Sequence, residues 1–240
     1  IEYCGKKLPN WTPIAVSGYH IREAGATAAQ EIAFTLANMI AYLNEAQDRG
    51  VNIDVSARNM YFFLASQVDF LEEVAKFRAA RRVFARIMRD RYGCKDSETQ
   101  RLKIFCYTSG SALTAEQPLN NIVRVTIETM AAIAGGVQTL ATSSYDEAFS
   151  IPTAEAAKVA LRTQQIIAYE SGLAQTVDMM GGSYAVENLT DRIEADIWKY
   201  IEEIDALGGA VACIQAGYFQ KKLADNAYTF QKSVDNGERV

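Results

Sequence analysis

The sequence predicts an α/β fold with parallel strands, built from four strand–helix units that amount to half of an eight-fold barrel. Three observations carry this reading. Short apolar runs alternate with amphipathic stretches of helical period, capping residues and glycines punctuate the helices, and a polar segment follows each apolar run.

The first unit opens with Ile14-Ala15-Val16-Ser17. A helix follows from Thr27 to Arg49, where Thr27 and Gln30 have capping-box spacing, Ile32, Leu36, Met39, Ile40 and Leu43 form one stripe, and Gly50 offers a stop. The second unit begins at Met60-Tyr61-Phe62-Phe63-Leu64. Its helix opens at Asp69 with Glu72 three residues on, turns Phe70, Val74, Phe77, Phe84 and Ile87 inward, and stops at Gly93. The third run, Leu102 to Cys106, leads to a helix from Asn120 or Asn121 to Gly135. The fourth, Val137 to Leu140, leads to a helix from Thr153 to Ser171, closed by Gly172. Beyond these, Ile193, Ile197, Ile201 and Ile204 lie at helical spacing between Thr190 and Leu207, and Gly208-Gly209 separates that helix from shorter ones reaching Ser233. The expected organisation is a half-barrel over residues 1–187 and a C-terminal helical extension of the same domain over 188–240.

Composition narrows the function. A net charge of -5 gives no electrostatic footprint for nucleic acid. No apolar run reaches the roughly 18 residues needed to span a bilayer, and no signal-peptide pattern precedes residue 20, so a cytoplasmic location with no membrane association is expected. Cys4, Cys94, Cys106 and Cys213 show no CxxC spacing and read as free thiols; with a single histidine, no zinc site is expected. The chain starts at Ile1 rather than methionine, as a processed chain or a fragment would.

In a parallel barrel the segments after the strands form the active face. Four qualify: Ser17 to Gly25, Ser66-Gln67, Tyr107 to Ser111, and Thr142 to Glu147. The first holds the only histidine, His20, beside Gly18. Neither GxGxxG nor GxxxxGK[ST] occurs, so Gly135-Gly136 and Gly181-Gly182 read as turns, and no GxSxG elbow is present. Asp146 and Glu147 are adjacent, so in an extended segment only one of them faces a barrel mouth.

The wording of these segments resembles one family. IAVSGYHIREAG (Ile14 to Gly25) is similar to the SGYH-x-x-EAGA signature of the methylmalonyl-CoA mutase family. Collinear similarities follow at FLEEVAKFRAARR (Phe70 to Arg82), TSGSALTAEQPLNNIVR (Thr108 to Arg124), TSSYDEAFSIP (Thr142 to Pro152) and TQQIIAYESG (Thr163 to Gly172). The resemblance places the chain in the second half of the substrate barrel of an enzyme that rearranges the carbon skeleton of an acyl-CoA through radicals from adenosylcobalamin. It implies that His20 hydrogen-bonds the thioester carbonyl, that Tyr19 lines the same pocket, and that Arg58, ahead of the aromatic strand in RNMYFF, binds a CoA or carboxylate group. Glu147 matches a glutamate near the adenosyl ribose. Ala141 and Ser143 stand where the family commonly has histidine and asparagine, which assigns them to the cofactor pocket. Tyr107 replaces a glutamine and falls to the substrate side. These departures leave the acyl group open between methylmalonyl-CoA and a related branched acyl-CoA such as ethylmalonyl-CoA.

The family's DxHxxG segment, whose histidine ligates cobalt, does not occur in these 240 residues, nor does the earlier barrel half. The implied partners are therefore an acyl-CoA, the remaining barrel half, and a cobalamin-binding domain or subunit, in a homo- or hetero-oligomer. The alternative is a truncated, catalytically silent homologue that contributes architecture to a partner. A barrel enzyme of unrelated chemistry, such as a lyase, lacks its motifs.

Overall fold

A computed structural model describes residues 1–8 and 11–238; the last two positions of the expected 188–240 extension lie outside them. In chain order the elements are α1 (Glu2–Lys7), β1 (Ile14–Ser17), α2 (Tyr19–Glu23), α3 (Ala28–Asp48), α4 (Ile53–Arg58), β2 (Met60–Ser66), α5 (Phe70–Arg86) running into a π-turn at Ile87–Arg91, and β3 (Ile104–Thr108). A 3-10 turn at Gly110–Ala112 precedes α6 (Asn120–Ala134), β4 (Thr139–Ala141) and α7 (Ala154–Tyr169). A second 3-10 turn at Leu173–Gln175 precedes α8 (Tyr184–Ala206), α9 (Ala210–Gln215) and α10 (Tyr218–Asp235). The strands pair in the order β1-β2-β3-β4, all parallel, as half a barrel requires.

The helices begin where side chains satisfy their free N–H groups. Thr27 and Gln30 close a reciprocal capping box on α3, Asp69 accepts from the Glu72 N–H on α5, and Thr153 accepts from the Ala156 N–H on α7. Two strands start later than their apolar runs. β3 begins at Ile104, two residues into its run, with the Lys103 carbonyl just ahead of it accepting the Phe62 N–H as the first bond to β2. β4 shrinks to three residues because the Gln138 side chain takes the Ile104 N–H at 2.7 Å, doing the work of a strand carbonyl. Helix α8 starts six residues before Thr190, so position 187–188 falls inside a helix and the C-terminal helices begin at Tyr184.

Register divides the sheet into two faces. Val16, Phe62, Leu64, Ile104 and Cys106 are buried against α3, α5 and α6. Ile193, Ile197, Ile201 and Ile204 of α8 join the same core from a second layer over α3 and α5. The opposite face carries Ala15 and Ser17, then Tyr61, Phe63 and Ala65, then Phe105 and Tyr107, then Thr139 and Ala141. Among the described residues no layer of helices covers it: Ala15 and Thr139 are exposed, Phe63, Phe105 and Tyr107 are half-buried, and only the carboxyl end is covered, where Ala65 is buried and Tyr19 stacks on Phe63. This is the interior face of a barrel, and the carboxyl ends of its strands hold the candidate site.

Candidate functional site

His20 sits in a helix, where an irregular loop was expected. Helix α2 is a single turn starting directly after β1, with the Arg22 N–H on the Gly18 carbonyl and the Ala24 N–H on the His20 carbonyl. It can start there because residue 18 has no side chain. A Cβ on Gly18 would collide with Thr35 Oγ1 and lie 2.9 Å from Leu64 Cδ2 and 3.0 Å from Glu31 Cγ. Gly18→Ala is expected to cost about 1–3 kcal/mol of stability by overpacking, read as a lowered urea midpoint with unchanged slope; a wild-type midpoint would mean that α2 lifts away freely.

The His20 ring is exposed, and its Nδ1 lies 2.8 Å from Ser17 Oγ. When the Ser17 hydroxyl donates, the neutral ring carries its proton on Nε2, the nitrogen left for a ligand. The ring stands edge-on to Phe63 (5.8 Å between centroids) and to Tyr19 (5.5 Å). Tyr19 stacks on Phe63 at 4.7 Å, Phe63 stacks on Phe105 at 5.0 Å, and Tyr107 meets Tyr19 edge-on at 5.6 Å. One aromatic ladder thus crosses the open face beneath the histidine.

At the same end of the sheet an acidic pair, Glu147 and Glu23, flanks Gly110. A Cβ there would stand 3.1 Å from Glu147 Oε1 and 3.4 Å from Glu23 Oε2. Glu23 accepts from the Ser109 hydroxyl, from the Ser111 N–H at 2.9 Å and from the Ser111 hydroxyl at 3.2 Å. The Tyr107 hydroxyl reaches Glu147 Oε2 at 3.4 Å. Burial raises the Glu147 pKa, opposed by the polarity of the nearby Ser143 hydroxyl and by the bond from Tyr107. The Tyr19 and Tyr107 hydroxyls are also shifted up, first by burial and then by neighbouring carboxylates, Glu23 and Glu147 for Tyr19 and Glu147 for Tyr107, so both remain proton donors at neutral pH.

Residues 145–149 turn rather than extend, and this separates the adjacent acids. Asp146 is buried and structural, accepting from the Ser144 hydroxyl at 2.7 Å and the Thr153 N–H at 3.0 Å, while Glu147 faces the site. Ser143 is a latch: its hydroxyl donates to the Thr108 carbonyl at 2.9 Å and its N–H to Thr108 Oγ1 at 2.7 Å, tying β4 to β3. Ala141 lies beside Tyr107 on the open face and presents only a methyl group.

Arg58 does not join this cluster. It ends α4, ahead of β2 and thus at the amino end of the sheet, where its guanidinium pairs with Asp96 and its carbonyl accepts from Lys103 Nζ at 2.7 Å. Placing it in one cavity with His20, Tyr107 and Glu147 is therefore corrected: the arginine precedes its strand, whereas the other three follow or end theirs. Sequence reasoning passed over Glu23, Ser109 and Phe63. Glu23 lay inside the quoted signature, three residues after His20 and so on the same side of a helical turn, a signal that only recognition of α2 makes usable. Among the described residues no group of three or more His, Cys, Asp or Glu side chains could hold a metal ion, and no helix is long and apolar enough to cross a membrane.

The family model for methylmalonyl-CoA mutase matches residues 1–240. Similar curated proteins include the 2-hydroxyisobutanoyl-CoA mutase large subunit of Aquincola tertiaricarbonis, 48% identical over 239 residues. The methylmalonyl-CoA mutases of Rhizobium meliloti and Escherichia coli are 42% and 40% identical over 240 residues. All three alignments cover 100% of this chain, which spans only 34–42% of the length of these relatives.

Proposed function

The chain belongs to the methylmalonyl-CoA mutase family, and from that membership we propose that it supplies the reactive face of the substrate barrel in an adenosylcobalamin-dependent acyl-CoA mutase. The observation that carries this reading is His20, with Nδ1 engaged by Ser17 and Nε2 open, against an aromatic wall and at the same end of the sheet as two carboxylates. His20 binds the thioester carbonyl through Nε2–H and stabilises charge that grows on that oxygen as the acyl group rearranges. Tyr19 shields the reacting carbon from water, and the Tyr107 hydroxyl bounds the acyl pocket. The substrate is a short branched acyl-CoA, within the range that methylmalonyl-, ethylmalonyl- and 2-hydroxyisobutanoyl-CoA define.

The residues present fit the adenosyl end of the cofactor. Glu147 and Glu23, held around Gly110 by Ser109, Ser111 and Tyr107, offer paired acceptors for vicinal ribose hydroxyls. Ser143 holds that wall in place, and Ala141 contributes only packing surface beside it. Bound cobalamin supplies the radical by homolysis of its cobalt–carbon bond. The cobalt ligand belongs to another part of the protein. Arg58 is reassigned within the proposal: β2 spans seven residues at about 3.3 Å each, so a CoA arm lying along the barrel axis from His20 brings its phosphates, not its acyl group, to Arg58.

The open face and the free edges of β1 and β4 call for the remaining barrel half, from the same polypeptide or a complementary subunit, and a cobalamin-binding domain. We assign the helices from Tyr184 onward to this same domain, and the assembled enzyme to the cytoplasm. Completed in this way, the protein is expected to isomerise a branched acyl-CoA only when adenosylcobalamin is added. Glu147→Gln should raise the KM for adenosylcobalamin about tenfold, the loss of one charge-assisted hydrogen bond, and leave the acyl-CoA KM unchanged. Absence of turnover with every branched acyl-CoA tried in the cofactor-loaded assembly would favour the architectural reading instead.

A further inference from the structure

The carboxyl end of β2 has a backbone problem that the fold solves with buried charge. Along β2 the even-numbered residues bond to β3, as in the Phe62 N–H to the Lys103 carbonyl and the Ser109 N–H to the Ser66 carbonyl. The odd-numbered residues face β1, as in the Gly18 N–H to the Phe63 carbonyl. Ala65 is the next odd residue and is fully buried, but β1 has already ended at Ser17 and the Gly18 carbonyl is committed to α2. Both of its backbone groups would be orphaned.

They are taken by a side-chain pair. Glu31 Oε1 accepts the Ala65 N–H at 2.7 Å, and Lys76 Nζ donates to the Ala65 carbonyl at 2.7 Å. Lys76 Nζ also donates to Glu31 Oε2 at 2.8 Å and pairs with Glu73. Glu31, Lys76 and Glu73 are all fully buried. Arg22, two residues past His20 on α2, brings a second cation to the two buried carboxylates: its Nη2 donates to Glu73 at 3.2 Å and to the part-exposed Glu72 at 3.1 Å, and its Nη1 to the Ala26 carbonyl at 2.6 Å. The stem of Glu31 meanwhile runs directly under Gly18, the point where the chain turns out of the sheet.

We propose that Glu31 and Lys76 are positioning residues for His20: as a buried ion pair they stand in for β1 beside the end of β2, and so fix where the chain leaves the sheet to form the helix that carries the histidine. A longer β1 would pair with Ala65 and leave Tyr19 and His20 as alternating strand positions. A β1 of the present length without the pair would leave the Ala65 backbone groups seeking partners in α2. The ion pair makes the early exit compatible with a dry sheet end, and Arg22 clamps the resulting turn onto the same charges. This inference rests on the proposed role of His20 and adds to it a cause for the ring's placement.

The test is a cycle in the completed, cofactor-loaded enzyme. The double variant Glu31→Gln/Lys76→Met removes both charges together, which buried pairs tolerate far better than loss of one partner, while the introduced amide oxygen can still accept the Ala65 N–H. Glu31→Gln alone is nearly isosteric but aims a donor at Lys76, drawing it off the Ala65 carbonyl toward Glu73. Each variant that folds is expected to lose about 10- to 100-fold in kcat with acyl-CoA KM within about twofold, because small displacements of a catalytic group carry such costs. In a His20→Ala background the same changes should alter kcat by less than about twofold, since residues acting through one group are not additive. Wild-type kcat in either folded variant overturns the inference, as does a loss that persists undiminished without His20. Should only one variant fold, its cycle decides alone; should neither fold, Glu31 and Lys76 hold the domain as a whole and the inference is overturned. Unchanged turnover in His20→Ala itself would remove the proposed role of His20 first.

Discussion

Replacing His20 by alanine in the completed enzyme is expected to lower turnover by roughly 100-fold or more, with a much smaller change in the KM for acyl-CoA. A donor aimed at a carbonyl oxygen strengthens as negative charge builds there, and single donors of this kind are worth about 3–4 kcal/mol at the transition state; each 1.4 kcal/mol or so is tenfold in rate. The ring is prepared for that task. Ser17 fixes Nδ1, and Phe63 and Tyr19 hold the imidazole between two edges, so little reorganisation precedes reaction. Most of the binding energy of an acyl-CoA comes from its long CoA portion, remote from this side chain, so the loss falls chiefly on kcat. The measurement is steady-state kinetics on the assembled, cofactor-loaded protein. Turnover unchanged by the substitution would mean that His20 only packs at a strand end, and a loss confined to KM would make it a binding residue.

The sequence reading reached the sheet order and the starts of α3, α5, α6 and α7 because these are written locally. Thr27, Asp69 and Thr153 are caps whose partners lie three residues away, and the apolar stripes of α3 and α5 are continuous enough to show their period. It missed what depends on distant side chains. Gln138 shortens β4 by bonding across to Ile104, and no local pattern marks a glutamine for that use. Helix α2 is five residues long, too short to display a period, and its existence depends on Glu31 and Lys76, which lie on other helices. No local pattern marks these two charged residues, among the apolar stripes of α3 and α5, for a buried partner on another element. The resemblance to a family singled out His20, Tyr19 and Glu147, which the fold brings to one end of the sheet, but it could not say which end Arg58 occupies. That follows only from the strand direction together with the arginine's position before β2.

Glu128→Gln is expected to stabilise the protein markedly at pH 8 and hardly at all at pH 4. Glu128 lies on α6 with no exposed surface, and among the described residues its carboxyl meets no donor but the Ser109 N–H, which already serves the Ser66 carbonyl. Burial pushes its pKa up to about 10, with the charges of Glu73, Glu23 and Glu147 adding to the shift. In the unfolded chain a glutamate titrates near 4.3. Between those values the folded state holds a proton that the unfolded state releases, so stability falls as pH rises through that window, by at most about 1.4 kcal/mol per unit. Accumulated to pH 8 this is on the order of 3–5 kcal/mol, an amount that glutamine, neutral in both states, does not incur. Below pH 4 both states of the wild type are protonated, and the two proteins converge. Urea midpoints of the assembled wild type and variant at the two pH values measure the difference directly. Parallel pH dependence in the two would show that Glu128 is ionised in the fold and has found a cation. The predicted divergence would identify a carboxyl kept neutral beside Glu23 and Glu147, where ionisation would set a third negative charge next to the proposed ribose site.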